Sequence, residues 1–215
     1  MSNEPQAPPS QASSSRSAVS NTRLLNFLIP VFCFLASLAF YMFTLQPSLA
    51  WGDGTRLQRE VITAESFILD EMVDVSFAPD PYPFARLGVA AWDHPLYVIL
   101  GHTLVRNAAE TQSLWLVNFI SALFAAGTVA LLALLIMRHT RSYAASLIGA
   151  ATLAVSHTFW WHAVTPEVYT LFTFLLLLAV YFLDRYEENG RFLFLLACAF
   201  VLGLGVSNHL LAGLT

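Results

Sequence analysis

The sequence predicts an all-α, polytopic membrane helix bundle with about five spans, counted at roughly 20 apolar residues per span. Three observations predict it. The 215-residue chain is 57% hydrophobic and only 11% charged, where a soluble domain carries about a quarter charged residues. Its apolar runs, 24–45, 114–137, 143–161, 168–183 and 192–214, have the length a bilayer core demands, the fourth when it is extended back to Pro166. The runs are apolar nearly all round, unlike the amphipathic helices of a soluble core.

Residues 1–22 are rich in Ser, Pro, Gln and Asn and have too little apolar surface to order themselves. They are expected to form a disordered cytoplasmic tail ahead of a transmembrane domain covering 23–215. Ser48-Leu49-Ala50 resembles a signal-peptide cleavage site. The preceding run, however, exceeds the roughly 7–15 residues of a signal-peptide core, so it reads as an uncleaved anchor. All the basic residues are Arg. Arg16 and Arg23, Arg138 and Arg141, and Arg185 and Arg191 fall in alternate connections, which the positive-inside rule places in the cytoplasm. The long loop 46–113 then lies outside, despite its own arginines, because long loops translocate largely regardless of charge.

That outer loop carries helical patterns. Leu57, Val61, Ala64, Ile68, Met72 and Val75 recur every three or four residues, with Arg56, Arg59, Glu60, Thr63, Asp70 and Asp74 largely opposite. Such a helix lies in the membrane interface or packs on other loops. Pro79, Pro81 and Pro83 break it. A second apolar helix, Pro95–Val105, is too short to span. Ser121 with Ala125, Ala122 with Ala126, and Ala199 with Gly203 are small residues four apart, which allow close helix contact. Cys33 and Cys198 sit inside apolar runs and read as packing residues rather than a disulfide framework. No internal repeat supports an inverted-repeat transporter. The last residues, Asn208 to Thr215, carry no polar tail, and the chain is expected to be either a truncated N-terminal piece of something longer or an unusually abrupt natural end.

Polar residues gather on the outer side, and ionisable groups at membrane depth mark functional sites by default. Asp53 stands between Gly52 and Gly54, where the backbone can turn sharply or approach a ligand closely. It suits a catalytic base and also a helix cap. Asp93 and His94, ahead of Pro95, suit a cap or a phosphate or proton site. His162, Glu167 and Tyr169 belong to a tight outer hairpin, with Glu167 in the first turn of a span, where the helix dipole favours an acid. The spacing of His157, His162 and Glu167 does not fit a zinc helix motif, and no metal is assigned. Asn208 and His209 serve as polar glue between helices or as part of the site.

Five blocks in order resemble the GT-C superfamily of multi-pass glycosyltransferases. They are most similar to the transmembrane protein O-mannosyltransferase family and its bacterial relatives. The blocks are Trp51-Gly52-Asp53, Pro95 to Gly101, Val117 to Phe124, Phe159-Trp160 through Glu167 to Leu171, and Gly203 to Leu210. Two features depart from the family pattern. Asp53 is followed by Gly54-Thr55-Arg56 where the family has a small residue, Gly and Glu, so a second acid falls to Glu60 or Glu65. Ala90-Ala91-Trp92-Asp93 stands where the family has His-Pro-Pro-Gly.

The resemblance implies sugar transfer on the outer side of the membrane, from a polyprenyl-phosphate donor to a protein, lipid or glycan acceptor. It calls for no cofactor and no nucleic acid. Asp53 would be the base. Arg56 or Arg59, with His94 or His162, would hold the leaving phosphate, and Asp93, Glu167, Tyr169, Asn208 and His209 would complete the substrate site. The Arg-only basic set and short loops point to a bacterial inner membrane. The competing expectations are a non-catalytic transport or assembly subunit, whose polar groups would run through the bilayer depth, and an inactive fragment of a transferase.

Overall fold

The computed structural model describes residues 9–63, 94–209 and 213. Among these residues there are eight helices and no strand, as the all-α bundle requires. α1 is Pro9–Thr44, α2 Asp53–Thr63, α3 Pro95–Val105 and α4 Glu110–Thr140. α5 is Tyr143–Val155, α6 His157–Val164, α7 Tyr169–Asn189 and α8 Phe192–Asn208. The expected continuation of the α2 pattern beyond Thr63, the prolines at 79, 81 and 83, and Asp93 lie outside the described residues.

Among the described residues, three helical stretches are long and apolar enough to cross a membrane: Leu24–Thr44, Gln112–Thr140 and Tyr169–Asn189. The expected fifth span is the 17-residue α8. The expected third span is not one helix. It breaks at Ser156, whose backbone is extended (φ −62°, ψ 130°), into the 13-residue α5 and the 8-residue α6. The break gives polar groups partners that a straight helix would aim elsewhere. The Trp160 indole donates to Thr44 Oγ1 at 2.9 Å, and the Tyr41 hydroxyl donates to the Ala154 carbonyl at 3.2 Å. α7 runs past the expected 183 because its charged end is paired. Arg138 meets Asp184 at 2.7 Å and Glu188 at 2.6 Å, and Arg185 meets Glu188 at 2.6 Å. Gly190, at φ 62°, then supplies the left-handed residue that ends the helix.

α4 is the spine. It packs against α1, α2, α3, α5, α6 and α7, and half of its most apolar window is buried, against 17% for α1 and 22% for α7. Lipid tails are as apolar as leucine, so helices associate in a bilayer through close packing rather than apolar burial. Ser121, Ala122, Ala125 and Ala126 are accordingly buried on α4. The three alanines meet α1, α5 and α6 on one side, around Cys33, Tyr41, Ala150, Ala154 and Ala163. The other cluster joins α2, α3, α4, α7 and α8 around Leu57, Val61, Tyr97, Val117, Leu171 and Cys198. The two cysteines therefore pack in separate clusters. The Ala199 and Gly203 pair faces outward instead of into a helix contact; Cys198, Val201, Gly205 and Asn208 are the buried residues of α8.

The first loop is bolted to α4 by amides. Asn118 and Gln58 are fully buried, and Gln58 Nε2 donates to Asn118 Oδ1 at 2.8 Å. Gln58 Oε1 accepts from the Ala50 amide at 2.9 Å, and Asn118 Nδ2 donates to the Gln46 carbonyl at 2.7 Å. The Gln46 amide donates to the Val164 carbonyl at 3.1 Å. Leaving one such buried group unsatisfied costs about 1–3 kcal/mol. Asn118→Ala is expected to lose that much stability and to lower the melting temperature in detergent, with the 46–50 segment becoming protease-sensitive. An unchanged melting temperature and cleavage pattern would show that the loop is held by other means.

Candidate functional site

Asp53 opens α2 between two glycines that do different work. Gly52 has φ +64°, a left-handed backbone that favours glycine. Gly54 is buried, and a Cβ there would stand 2.7 Å from Ala50 Cβ and 3.2 Å from Pro166 Cγ. The Asp53 loop is thus pressed directly onto the turn that precedes α7. That turn is fixed in its own right. The Ser121 hydroxyl accepts from the Glu167 amide at 3.0 Å and lies 2.9 Å from the Tyr97 hydroxyl.

Between these segments lies a cleft of about 290 Å³, lined by Asp53, Arg56, Leu57, His94, Pro166, Glu167, Val168 and Tyr169. Five of the residues singled out from the sequence therefore share one cavity: Asp53, Arg56, His94, Glu167 and Tyr169. Three others adjoin it. His162 Nδ1 is 4.0 Å from Glu167 Oε1, and its ring packs on Tyr169 with centroids 5.0 Å apart. The His209 ring stacks on His94 at 5.2 Å and meets Tyr169 at 5.4 Å. Asn208 is fully buried, and its Nδ2 donates to the Val168 carbonyl at 3.0 Å. Arg59 is exposed on α2 and is not among the lining residues. Asp93 lies outside the described residues.

Glu60 does not follow the expected pattern. It is 1% exposed, on the buried side of α2 rather than the polar one. A buried carboxylate needs a cation, and Arg56, one turn earlier, supplies it at 3.1 Å. Glu60 therefore anchors Arg56 from behind instead of lining the cleft as a second acid. α2 itself packs on α3 and α4; the His102 ring nitrogen at 3.0 Å from the Val61 carbonyl joins α2 to α3.

The acids of the cleft differ in environment. Burial, and after it the nearby Asp53 charge, raises the pKa of Glu167 above its usual range. Burial lowers that of His162. Each is pushed toward its uncharged form, so their 4.0 Å approach gains little as an ion pair. Among the described residues no three His, Cys, Asp or Glu side chains are grouped so as to hold a metal.

Asn118, Ser121, Tyr97 and Gln58 carry the site's geometry, yet sequence reasoning did not assign them to it. The signal was present for Asn118 and Ser121, which are polar residues inside an apolar run. Gln58 and Tyr97 become legible only once their partners are known.

A bundle of apolar helices with a carboxylate-bearing cleft defines a multi-pass membrane protein with a candidate reaction site at one end of the bundle. Residues 93–215 match the family model described as "Protein O-mannosyl-transferase TMEM260 N-terminal domain". The chain belongs to that family, and is an O-mannosyltransferase-like membrane protein. No curated protein and no solved structure was found to match it. Asp53 and Arg56 precede the matched residues, so their place in the site rests on geometry.

Glu167→Gln separates the acid's charge from its shape. Unfolded Glu titrates near ~4.3, and the folded group titrates higher. Whatever stability the neutral carboxyl contributes is complete below the unfolded value and is lost as pH rises through the folded one. The melting temperature of the wild type should therefore fall relative to Glu167→Gln as pH rises above ~4.3. A difference that stays constant or reverses would show that Glu167 carries its charge without penalty.

Proposed function

We propose that the protein is a membrane glycosyltransferase that moves a hexosyl group, such as mannosyl, from a polyprenyl-phosphate donor to an acceptor hydroxyl. The observation that carries this reading is the meeting of Asp53 and Glu167. They arrive from separate elements in one cleft that also holds Arg56 and His94. Family membership supports the transfer chemistry.

In this scheme Asp53 takes the proton of the acceptor hydroxyl as it attacks. The anomeric carbon passes through an oxocarbenium-like state, with inversion in a single displacement. Arg56, fixed by Glu60, holds the phosphate through charge-assisted hydrogen bonds. Glu167 hydrogen-bonds a sugar hydroxyl. Tyr169 presents a ring against the sugar, with His162 and His209 packed around it. The acceptor is a protein, lipid or glycan.

The membrane face follows from charge. Arg138, Arg141, Arg185 and Arg191 belong to the far ends of α4 and α7 and the connections that follow them. Asp184 stands 15 residues beyond Tyr169 along α7, roughly 22 Å at 1.5 Å per residue. The positive-inside rule places that end in the cytoplasm and the cleft on the outer side. A site at the membrane face lets a lipid phosphate react without leaving its bilayer.

Sugar transfer from polyprenyl-phosphate hexoses, measured in membranes carrying the protein, tests this. Asp53→Asn, matched for expression and melting temperature, should lose about 10²–10⁴-fold in rate, the usual worth of a general base. Equal transfer by wild type and variant would make Asp53 a structural cap. No transfer by the wild type from any of several hexose donors would overturn the enzyme reading.

A further inference from the structure

His94 occupies an unusual position. Its backbone is left-handed, at φ 53° and ψ 54°, a conformation that a residue with a side chain keeps only where its surroundings hold it. What holds it is visible. His94 Nδ1 lies 2.6 Å from the Asn208 carbonyl oxygen, and Asn208 is itself buried and tied through Nδ2 to the Val168 carbonyl. His209 stacks on the outer face of the ring. The imidazole is therefore held by the end of α8, which Asn208 ties to Val168 before α7, while it lines the cleft beside Arg56 and Asp53.

A carbonyl oxygen only accepts hydrogen bonds, so Nδ1 must carry a proton. That settles the tautomer: Nε2 is the nitrogen that gains or gives the exchangeable proton. The groups around it are Asp53 and Arg56 from α2, Glu167 and Tyr169 at the head of α7, and His209 after α8.

We propose that His94 Nε2 is the proton donor to the departing lipid phosphate, with Asn208 as its positioning residue. The inference rests on the transferase reading above. As the acceptor oxygen bonds to the anomeric carbon, the bond from that carbon to the phosphate oxygen breaks and its electron pair goes to the phosphate. Asp53 receives the acceptor's proton, and His94 gives its Nε2 proton to the phosphate. The proton on Asp53 then passes to His94 and resets the pair. The net reaction is acceptor alcohol plus glycosyl lipid phosphate giving glycoside plus lipid hydrogen phosphate, with no outside co-reactant. A phosphate monoester's second ionisation, at roughly 6, falls in the range where imidazole exchanges protons.

The test compares pH–rate profiles of wild type, His94→Asn and Asp53→Asn, with a polyprenyl-phosphate hexose as donor. Asparagine keeps an N–H near the Nδ1 position to bond the Asn208 carbonyl but has nothing to ionise at Nε2. Wild-type kcat should fall toward alkaline pH, because the donor must carry its Nε2 proton. His94→Asn should lose about 10²-fold in kcat, hold its KM, and lose that alkaline limb. Wild-type kcat in His94→Asn, or an alkaline limb that survives in it, overturns the proposal. If that variant does not fold, Asn208→Ala decides: it keeps the carbonyl that accepts from His94 but removes the Nδ2 bond to the Val168 carbonyl that fixes it. A lowered kcat with unchanged KM and a retained alkaline limb supports positioning through Asn208, and an unchanged kcat overturns it. If Asp53→Asn also transfers at the wild-type rate, Asp53 is not the base, and if the wild type transfers from none of several hexose donors, the transferase reading itself has failed; both differ from failure at His94 alone.

Discussion

Two polar residues, one helical turn apart on an otherwise apolar helix, hold this structure's working end together. Asn118 binds the first loop through the Gln46 carbonyl and Gln58. Ser121 binds the turn before α7 through the Glu167 amide and meets the Tyr97 hydroxyl of α3. Residues i and i+3 share a helix face, so one face of α4 grips three segments that are far apart in sequence. In a bilayer, where apolar contact gives helices little reason to choose one partner over another, such satisfied polar contacts set which segments meet. The cleft is the space left between the segments that α4 collects.

The rest of the bundle separates charge by depth. The cleft end carries Asp53, Arg56, His94 and Glu167. The far end carries Arg138 between Asp184 and Glu188. Between them α4 and α7 present apolar and small side chains. A permeation path would need polar groups continued through that middle stretch. Ionisable residues that gather in a cleft at one end and pair off among themselves at the other suit chemistry on a substrate whose head is polar and whose tail is lipid.

Much of this was legible in the sequence because composition and local pattern determine it. Apolar runs of bilayer length located α1, α4 and α7, and Pro95 located the start of α3. Flanking glycines marked Asp53 as a tight turn, and Gly52 and Gly54 serve that turn, one through its positive φ and the other through close approach to Ala50 and Pro166. What was not legible depends on distant partners. The break at Ser156 has no proline or glycine to announce it; it follows from where Trp160 finds Thr44. Glu60 reads as a surface acid until α2 is seen packed on α3 and α4, with Arg56 reaching over it. Ala199 and Gly203 have the spacing of a helix contact but face outward, because spacing alone does not say which face of α8 meets α7.

Everything at this end turns on Asp53 and Glu167 sharing one cleft. A chain carrying Asp53→Cys and Glu167→Cys, with the buried Cys33 and Cys198 replaced by alanine, tests it directly in intact membranes. A short bifunctional thiol reagent should join the two cysteines within one chain and should fail to do so in either single variant. Modification of both thiols separately, with no internal cross-link, would contradict the placement on which the whole account depends.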